Sequence, residues 1–348
     1  MGCRRAASDR CLPELGNFGF ALLQGAWFHS AVNLFRLLLL PVLWAGMAAC
    51  RPVPKIQAAA AGGSDQPRGC VWVADRQGGE GRLFLCGTIH ILREGDYPLP
   101  RGYDFAYQQS SKLVLELPPG ASEAPDFQGR LMELGQYPAG ESLETSVAPA
   151  LWEQLGQWAK KRDMSLASLR RFRPWLAALV ITSTEYSALG AKADYEADQH
   201  FETRAAQDGK LGEGLETAEF QFQLFSQLTP KMQEEMLAQT LVEVGAVSQE
   251  YEDMIADWKH GRLEALHAML TQEAEKYPEL MNIFIKDRNR AWIDRLDAML
   301  QRGEKVMVLV GAGHLGGEPD GVLALLRERG CRIRHVQEVM PASPAKAP

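Results

Sequence analysis

The stretch LFLCGTIHIL, residues 83–92, decides how the rest of the chain is read. Leu83 to Cys86 form a continuous apolar run, as in a strand covered on both faces. The run breaks at Gly87 and delivers an imidazole, His90, three positions later. VMVLVGAGHLGG, residues 306–317, repeats the pattern with Gly311 and His314. Two strand ends, far apart in the chain, each run into G-x-x-H.

Working outward, CVWVAD and RLFLCG flank RQGGEG and read as a β-hairpin. Beyond GTIHIL, YDFAYQQSS reads as a short helix and KLVLEL as a strand ending at Glu116, which makes a βαβ-like unit. The far end repeats this order: EKVMVLVG is a strand, GHLGGEPDGVLALLRERG a loop and helix closed by Gly330, and CRIRHVQEV a final strand. Glu338 then occupies the place in the second unit that Glu116 holds in the first. Between them, about residues 122 to 302, segments such as VAPALWEQLGQWAKKR, PWLAALVITSTEYSAL and DYEADQHFETRAAQDG place apolar residues at three- and four-residue spacing. Pro174 suits the first turn of its helix. KLGEGLET (210–217) interrupts the helices, either as a short strand ending at Glu216 or, given its two glycines, as a loop and helix start. The expected fold class is α/β: a central mixed β-sheet built from two βαβ-like half-units with a large helical insertion between them.

The 348 residues are 46% hydrophobic and carry a net charge of −7, so no basic excess is available to neutralise a phosphate backbone, and nucleic acid is not an expected partner. The first 50 residues differ in kind. LFRLLLLPVLWAGMAAC (34–50) is a short apolar run after Arg36 that closes on small residues before Cys50. It fits a secretory signal better than a membrane-spanning helix, and MAAC resembles a lipobox. The acidic residues before Val32 fit a signal poorly, so translation from near Val32 is a competing start. The domain plan is a leader over 1–50, a flexible linker over 51–68, one folded body over 69–340 and a disordered tail over 341–348. The expected location is the periplasm or envelope, with membrane attachment through a lipid on Cys50 or through the signal segment. Within the body, Cys70, Cys86 and Cys331 are too few for a disulfide framework and lack C-x-x-C spacing. One bridge or three buried thiols both remain open.

Functional groups in open α/β sheets gather beyond the carboxyl ends of the strands. His90, Glu116 and His314 belong there, with Glu216 if its segment is a strand. Two imidazoles and a carboxylate can hold a divalent metal while leaving a position for water. Such an ion acidifies water and polarises a carbonyl, and Glu116 or Glu216 is the candidate general base. His90, Glu116 and His314 are therefore the expected ligands of a divalent metal ion. The small residues Gly87 and Gly311 allow a close approach to that site. His260 and His267 read as solvated helix-face residues. GAGHLG (311–316) also matches a dinucleotide-binding loop, but too little chain follows it for the rest of that domain.

LFLCGTIHIL, KLVLEL, RPW (173–175), GLETAEFQ (214–221), DWKHGRLEAL (257–266), KDRNRAWIDRL (286–296) and VMVLVGAGHLGGEPDGVLALLRERGCRI, taken in order, resemble the TraB/GumN family, related to the TIKI metalloproteases and the EreA/ChaN-like group. The resemblance covers about residues 69 to 340. It implies a compact α/β fold in which the two G-x-x-H motifs meet, and a metal-dependent hydrolytic activity, in the TIKI branch proteolysis with manganese- or cobalt-like ions, so that the expected cofactor is a divalent Mn, Co or Zn ion. His90 and His314 match the two motif histidines and Glu116 the acidic residue after the next strand. Glu216, Gln221, Arg288 and Asn289 match further family positions, and Arg288 is a candidate for stabilising an oxyanion or holding a substrate carboxylate. Cys86 stands where the family more often has an aliphatic or polar residue. The implied substrate is a peptide or small molecule; a noncatalytic envelope protein that binds a ligand in the same cleft is the alternative.

Overall fold

The computed structural model describes residues 67–122, 124–271 and 277–341. The leader, Cys50, nearly all of the linker and most of the tail lie outside these residues. Among the described residues, no helix is long and apolar enough to cross a membrane.

Six strands form one mixed sheet: β1 (Val71–Asp75), β2 (Arg82–Thr88), β3 (Lys112–Leu115), β4 (Leu211–Gly214), β5 (Lys305–Gly311) and β6 (Arg332–His335). Their order is β4-β3-β5-β2-β1-β6. The β1–β2 hairpin is antiparallel, whereas β2, β5, β3 and β4 run parallel to one another. The two half-units are thus interleaved. β5 enters between β2 and β3, and β6 crosses to the far edge, antiparallel to β1. Burial explains both placements. β5 is buried from Val306 onward and needs cover on both faces. β6 (RIRH) is polar and partly exposed, which suits an edge.

Strand alternation divides the core. Leu83, Leu85, Val306, Val308 and Val310 face one way, against Trp292, Ile293 and Leu296 of the Asp287–Gln301 helix and Val322 and Leu326 of the Val322–Glu328 helix. Phe84, Cys86, Met307 and Leu309 face the other way, into the larger core built by the helical insertion. Within the insertion, the Pro174–Ala188 helix is buried on nearly every side, which its near-continuous apolar sequence requires.

KLGEGLET does contain a strand, and its glycines are the reason rather than an objection. A Cβ on Gly212 would lie 2.3 Å from Pro119 Cγ, and one on Gly214 would lie 2.3 Å from the Pro118 nitrogen. The chain leaving β3 crosses β4 so closely that side chains are excluded. Backbone bonds from Leu215 N to Leu115 O and from Glu216 N to Glu116 O, both 2.8 Å, extend the pairing and bring the two glutamates side by side.

Three details of the sequence reading are settled by packing. Cys70, Cys86 and Cys331 are free, buried thiols. His267 is not a solvated helix-face residue: it is half-buried beneath the turn after His314, where a Cβ on Gly317 would come within 2.2 Å of its Nε2. Gly317 has φ +86°, so glycine is needed there on both counts. Glu338 is no counterpart of Glu116. Its carboxylate accepts the His335 N–H at 2.9 Å, capping a short turn after the edge strand.

Candidate functional site

The parallel register aligns Thr88 at the end of β2 with Gly311 at the end of β5. His90 follows the first by two residues and His314 the second by three. Glu116 and Glu216 follow β3 and β4 at the same edge of the sheet. All four side chains are buried. Gly87 makes room for the arrangement. A Cβ there would sit 3.1 Å from both Cα and Cβ of Ala312, in the short Ala312–Leu315 helix that carries His314.

Arg288 ties the carboxylates together. Its Nε donates to Glu216 Oε1 at 2.8 Å, and its Nη2 donates to Glu216 Oε2 at 2.8 Å and to Glu116 Oε2 at 2.7 Å. Its Nη1 donates to Phe284 O and to His314 Nε2, both at 3.2 Å. All five guanidinium N–H groups are used. Burial works against its charge, but the two glutamates outweigh this and hold its pKa above the usual arginine value. In this arrangement no N–H is left over for an oxyanion. A π-helical turn, Asn282–Lys286, immediately precedes Arg288 and Asn289. Such turns interrupt the regular α-ladder and recur at functional sites.

The two glutamates differ in spare capacity. Each oxygen of Glu216 accepts two bonds, the additional donors being Trp292 Nε1 at 2.8 Å and Gln221 Nε2 at 3.1 Å. Glu116 accepts one bond on each oxygen, from Arg288 and from the Gly311 N–H at 2.8 Å. Its Oε1 lies 4.0 Å from His314 Nε2.

The tautomer of His314 follows from Asn289. The Asn289 amide nitrogen donates to His314 O at 3.1 Å and Asp320 O at 2.9 Å, so its oxygen faces His314 Nδ1 at 2.6 Å and must accept the Nδ1–H. The Nε2 lone pair then points toward Arg288 and Glu116. Burial, the Arg288 charge and His90 together push His314 well below the usual imidazole value, so it is neutral.

His90 has a different environment, one that the sequence did not reveal. Its Nδ1 is hydrogen-bonded to Glu196 Oε1 and lies 3.3 Å from Asp198 Oδ2. Its Nε2 is buried with no hydrogen-bond partner among the described residues. Burial disfavours a charged His90, but the two carboxylates overcome this and hold its pKa well above the usual value. Burial also raises Glu196, against the opposing pull of His90. Glu196 is the N-cap, and Asp198 lies in the first turn, of the Ala197–Asp208 helix, where the macrodipole favours anions. In DYEADQHF they read simply as a helix start, and only the fold brings them to His90. His90, Glu196 and Asp198 each offer a ligand atom within 4.8 Å of the others.

A model of the TraB/PrgY/gumN family matches residues 70–335, from the start of β1 to the end of β6. The chain belongs to the TraB/PrgY/gumN family. Among curated relatives, the uncharacterized protein YbaP of Escherichia coli K12 is 26% identical over 240 residues, covering 69% of this chain and 86% of YbaP. YbaP of Shigella flexneri matches to the same extent. No solved structure matches. Both G-x-x-H motifs of this family member, and every residue of the cluster around them, lie inside the matched span.

Of the three expected ligands, His90 falls in the group whose ligand atoms lie within 4.8 Å of one another, with Glu196 and Asp198; among the described residues Glu116 and His314 are not part of it. Two imidazoles accompany four buried or largely buried carboxylates, Glu116, Glu216, Glu196 and Asp198, while the hydrogen-bonded guanidinium among them is that of Arg288. Arg288 and a charged His90 set two cations against these four carboxyls, and burial lifts Glu196 toward its neutral form. His90 Nε2, an orphaned ligand atom, lies in the same cluster.

Proposed function

We propose that this TraB/PrgY/gumN protein is an exported, metal-dependent hydrolase acting on a peptide or related carbonyl substrate, held at the envelope by its signal segment or by a lipid on Cys50. The observation that carries the reading is the burial of both motif histidines, together with Glu116 and Glu216, at the ends of four parallel strands.

His90, His314 and Glu116 would hold the ion, which when bound supplies acidified water and polarises a substrate carbonyl. The residues' own tasks follow from their bonding. Glu116 retains acceptor capacity on Oε1 and is the better proton acceptor of the two glutamates. Glu216, saturated by Arg288, Trp292 and Gln221, anchors Arg288. Arg288 pairs with Glu116 in a buried site and donates to His314 Nε2, a bond that an ion held at that nitrogen would replace. Asn289 fixes the His314 ring.

A second reading, a noncatalytic envelope protein that binds a ligand in this cleft, is favoured by the complete engagement of Arg288. Metal analysis of the purified chain, paired with an unbiased peptide-cleavage screen, separates the two. The hydrolase reading expects bound Mn, Co or Zn and a cleavage activity that His90→Ala and His314→Ala abolish. Absence of metal together with unaltered function in both variants would refute it.

A further inference from the structure

We infer that Glu196 and Asp198 are positioning residues for His90, fixing its ring so that Nε2 faces the site as the ligand nitrogen for a divalent cation. The inference rests on the metal-dependent reading above and adds two residues to it.

The His90 ring nitrogens have opposite surroundings. Nδ1 faces two carboxylate oxygens, from Glu196 and Asp198, and neither can donate a hydrogen when ionised. Nδ1 is therefore the nitrogen that keeps its proton. Nε2 is enclosed and has no hydrogen-bond partner among the described residues. A buried polar atom left in this way calls for an occupant. Ligating histidines characteristically donate their other N–H to a carboxylate or carbonyl, which sets tautomer and ring angle.

His314 shows the same polarity. Its Nδ1–H is held by Asn289, and its Nε2 lone pair accepts from Arg288 Nη1. Each motif histidine is thus backed at Nδ1 by an outer partner from a different helix, the Ala197–Asp208 helix behind His90 and the Asp287–Gln301 helix behind His314, and His90 is the one whose Nε2 has no partner among the described residues. Phe201 packs against Tyr103 and Tyr107 of the Arg101–Gln109 helix, at centroid distances of 6.4 and 5.6 Å, which seats the first of these helices.

The test is calorimetric titration of the full chain with Mn²⁺ and Zn²⁺, joined to nitrogen-15 spectra of the imidazoles with and without Zn²⁺. The proteins are wild type, Glu196→Ala, Asp198→Asn, Glu196→Ala/Asp198→Asn, Glu196→Gln and His90→Ala. Loss of both carboxylates should weaken ion binding 10- to 100-fold. Glu196→Gln, whose amide oxygen still accepts the Nδ1–H, should keep most of the affinity. Wild-type spectra should show Nδ1 protonated and Nε2 shifted by Zn²⁺. Asp198→Asn, at the less buried position, supplies the same comparison should Glu196→Ala fail to fold. Unchanged affinity in the double variant, with binding lost in His90→Ala, overturns the positioning role alone. A Zn²⁺-shifted Nδ1 also overturns it, because Glu196 and Asp198 are then ligands themselves. A wild type that takes up neither ion overturns the metal reading and this inference together.

Discussion

Arg288 Nη2 stands between Glu116 and Glu216, 2.7 Å from Oε2 of the first and 2.8 Å from Oε2 of the second. The guanidinium is fully buried, and so are both carboxylates. Arg288→Ala would leave two adjacent buried anions without their cation, a loss of about 3–5 kcal/mol by the usual cost of breaking a buried ion pair. Urea denaturation at neutral pH checks this. A variant within about 1 kcal/mol of wild type at neutral pH, the level of a surface ion pair, would contradict it.

Gly87 stands where the strand carrying His90 meets the helix carrying His314. Gly87→Ala would place a methyl group 3.1 Å from the Ala312 backbone and from Leu315 Cδ1. The helix must shift, and overpacking of this kind costs about 1–3 kcal/mol. Gly129 is the control. It lies exposed in the Pro125–Gly135 helix with nothing near its missing Cβ, so Gly129→Ala should stabilise by about 0.5–1 kcal/mol through helix entropy. Thermal melts of the two variants should move in opposite directions, and Gly87→Ala alone should alter the His314 imidazole resonances.

Much of this site was legible because apolar runs, turn glycines and strand-end histidines are local signals. The hairpin, the covered β5 strand and the positions of His90, Glu116 and His314 at strand ends all follow from such signals. The order of the strands does not. β5 lies between β2 and β3 and, like β2, is buried along all but its first residue, a property measured against the whole core. Glu216 was ambiguous because Gly212 and Gly214 weaken a strand by propensity, while the crossing Pro118–Pro119 segment that requires them is remote in sequence. Glu196 and Asp198 were missed for a related reason. Acidic residues at a helix start are expected from the dipole alone, so nothing local distinguishes two that also face a histidine.

Asp96 offers a pH-dependent element outside the site. Its Oδ2 accepts from Tyr251 Oη at 2.6 Å and from the Arg93 N–H at 2.8 Å, and its Oδ1 lies 3.3 Å from Lys259 Nζ. Burial alone would raise its pKa, but the Tyr251 and Arg93 hydrogen bonds and the Lys259 charge reverse this and hold it below the ordinary carboxylate value. A depressed folded pKa means stability that is present above the unfolded value, about 3.9, and lost as pH falls through the folded value. Asp96→Asn should therefore be less stable than wild type at neutral pH, and the gap should close below about pH 4. Chemical denaturation of both proteins between pH 3 and 7 measures the gap; a constant difference across that range would show that Asp96 contributes by shape rather than by charge.

Asn289 separates tautomer control from simple packing. Its oxygen accepts the His314 Nδ1–H, while its nitrogen donates to the carbonyls of His314 and Asp320. Asn289→Ala removes all three bonds. Each buried group left unpaired costs about 1–3 kcal/mol, so the variant should melt well below wild type and its His314 tautomer should no longer be fixed. Asn289→Asp retains an acceptor for Nδ1–H but cannot donate to either carbonyl. Its stability should also fall, yet His314 should keep the Nδ1–H form, because a carboxylate facing that nitrogen holds the proton there more strongly than an amide oxygen does. Nitrogen-15 imidazole spectra of the two variants decide the point. Equal disturbance of the His314 tautomer in both would mean that the ring is set by its burial against Trp292, 4.5 Å away between centroids, and not by Asn289.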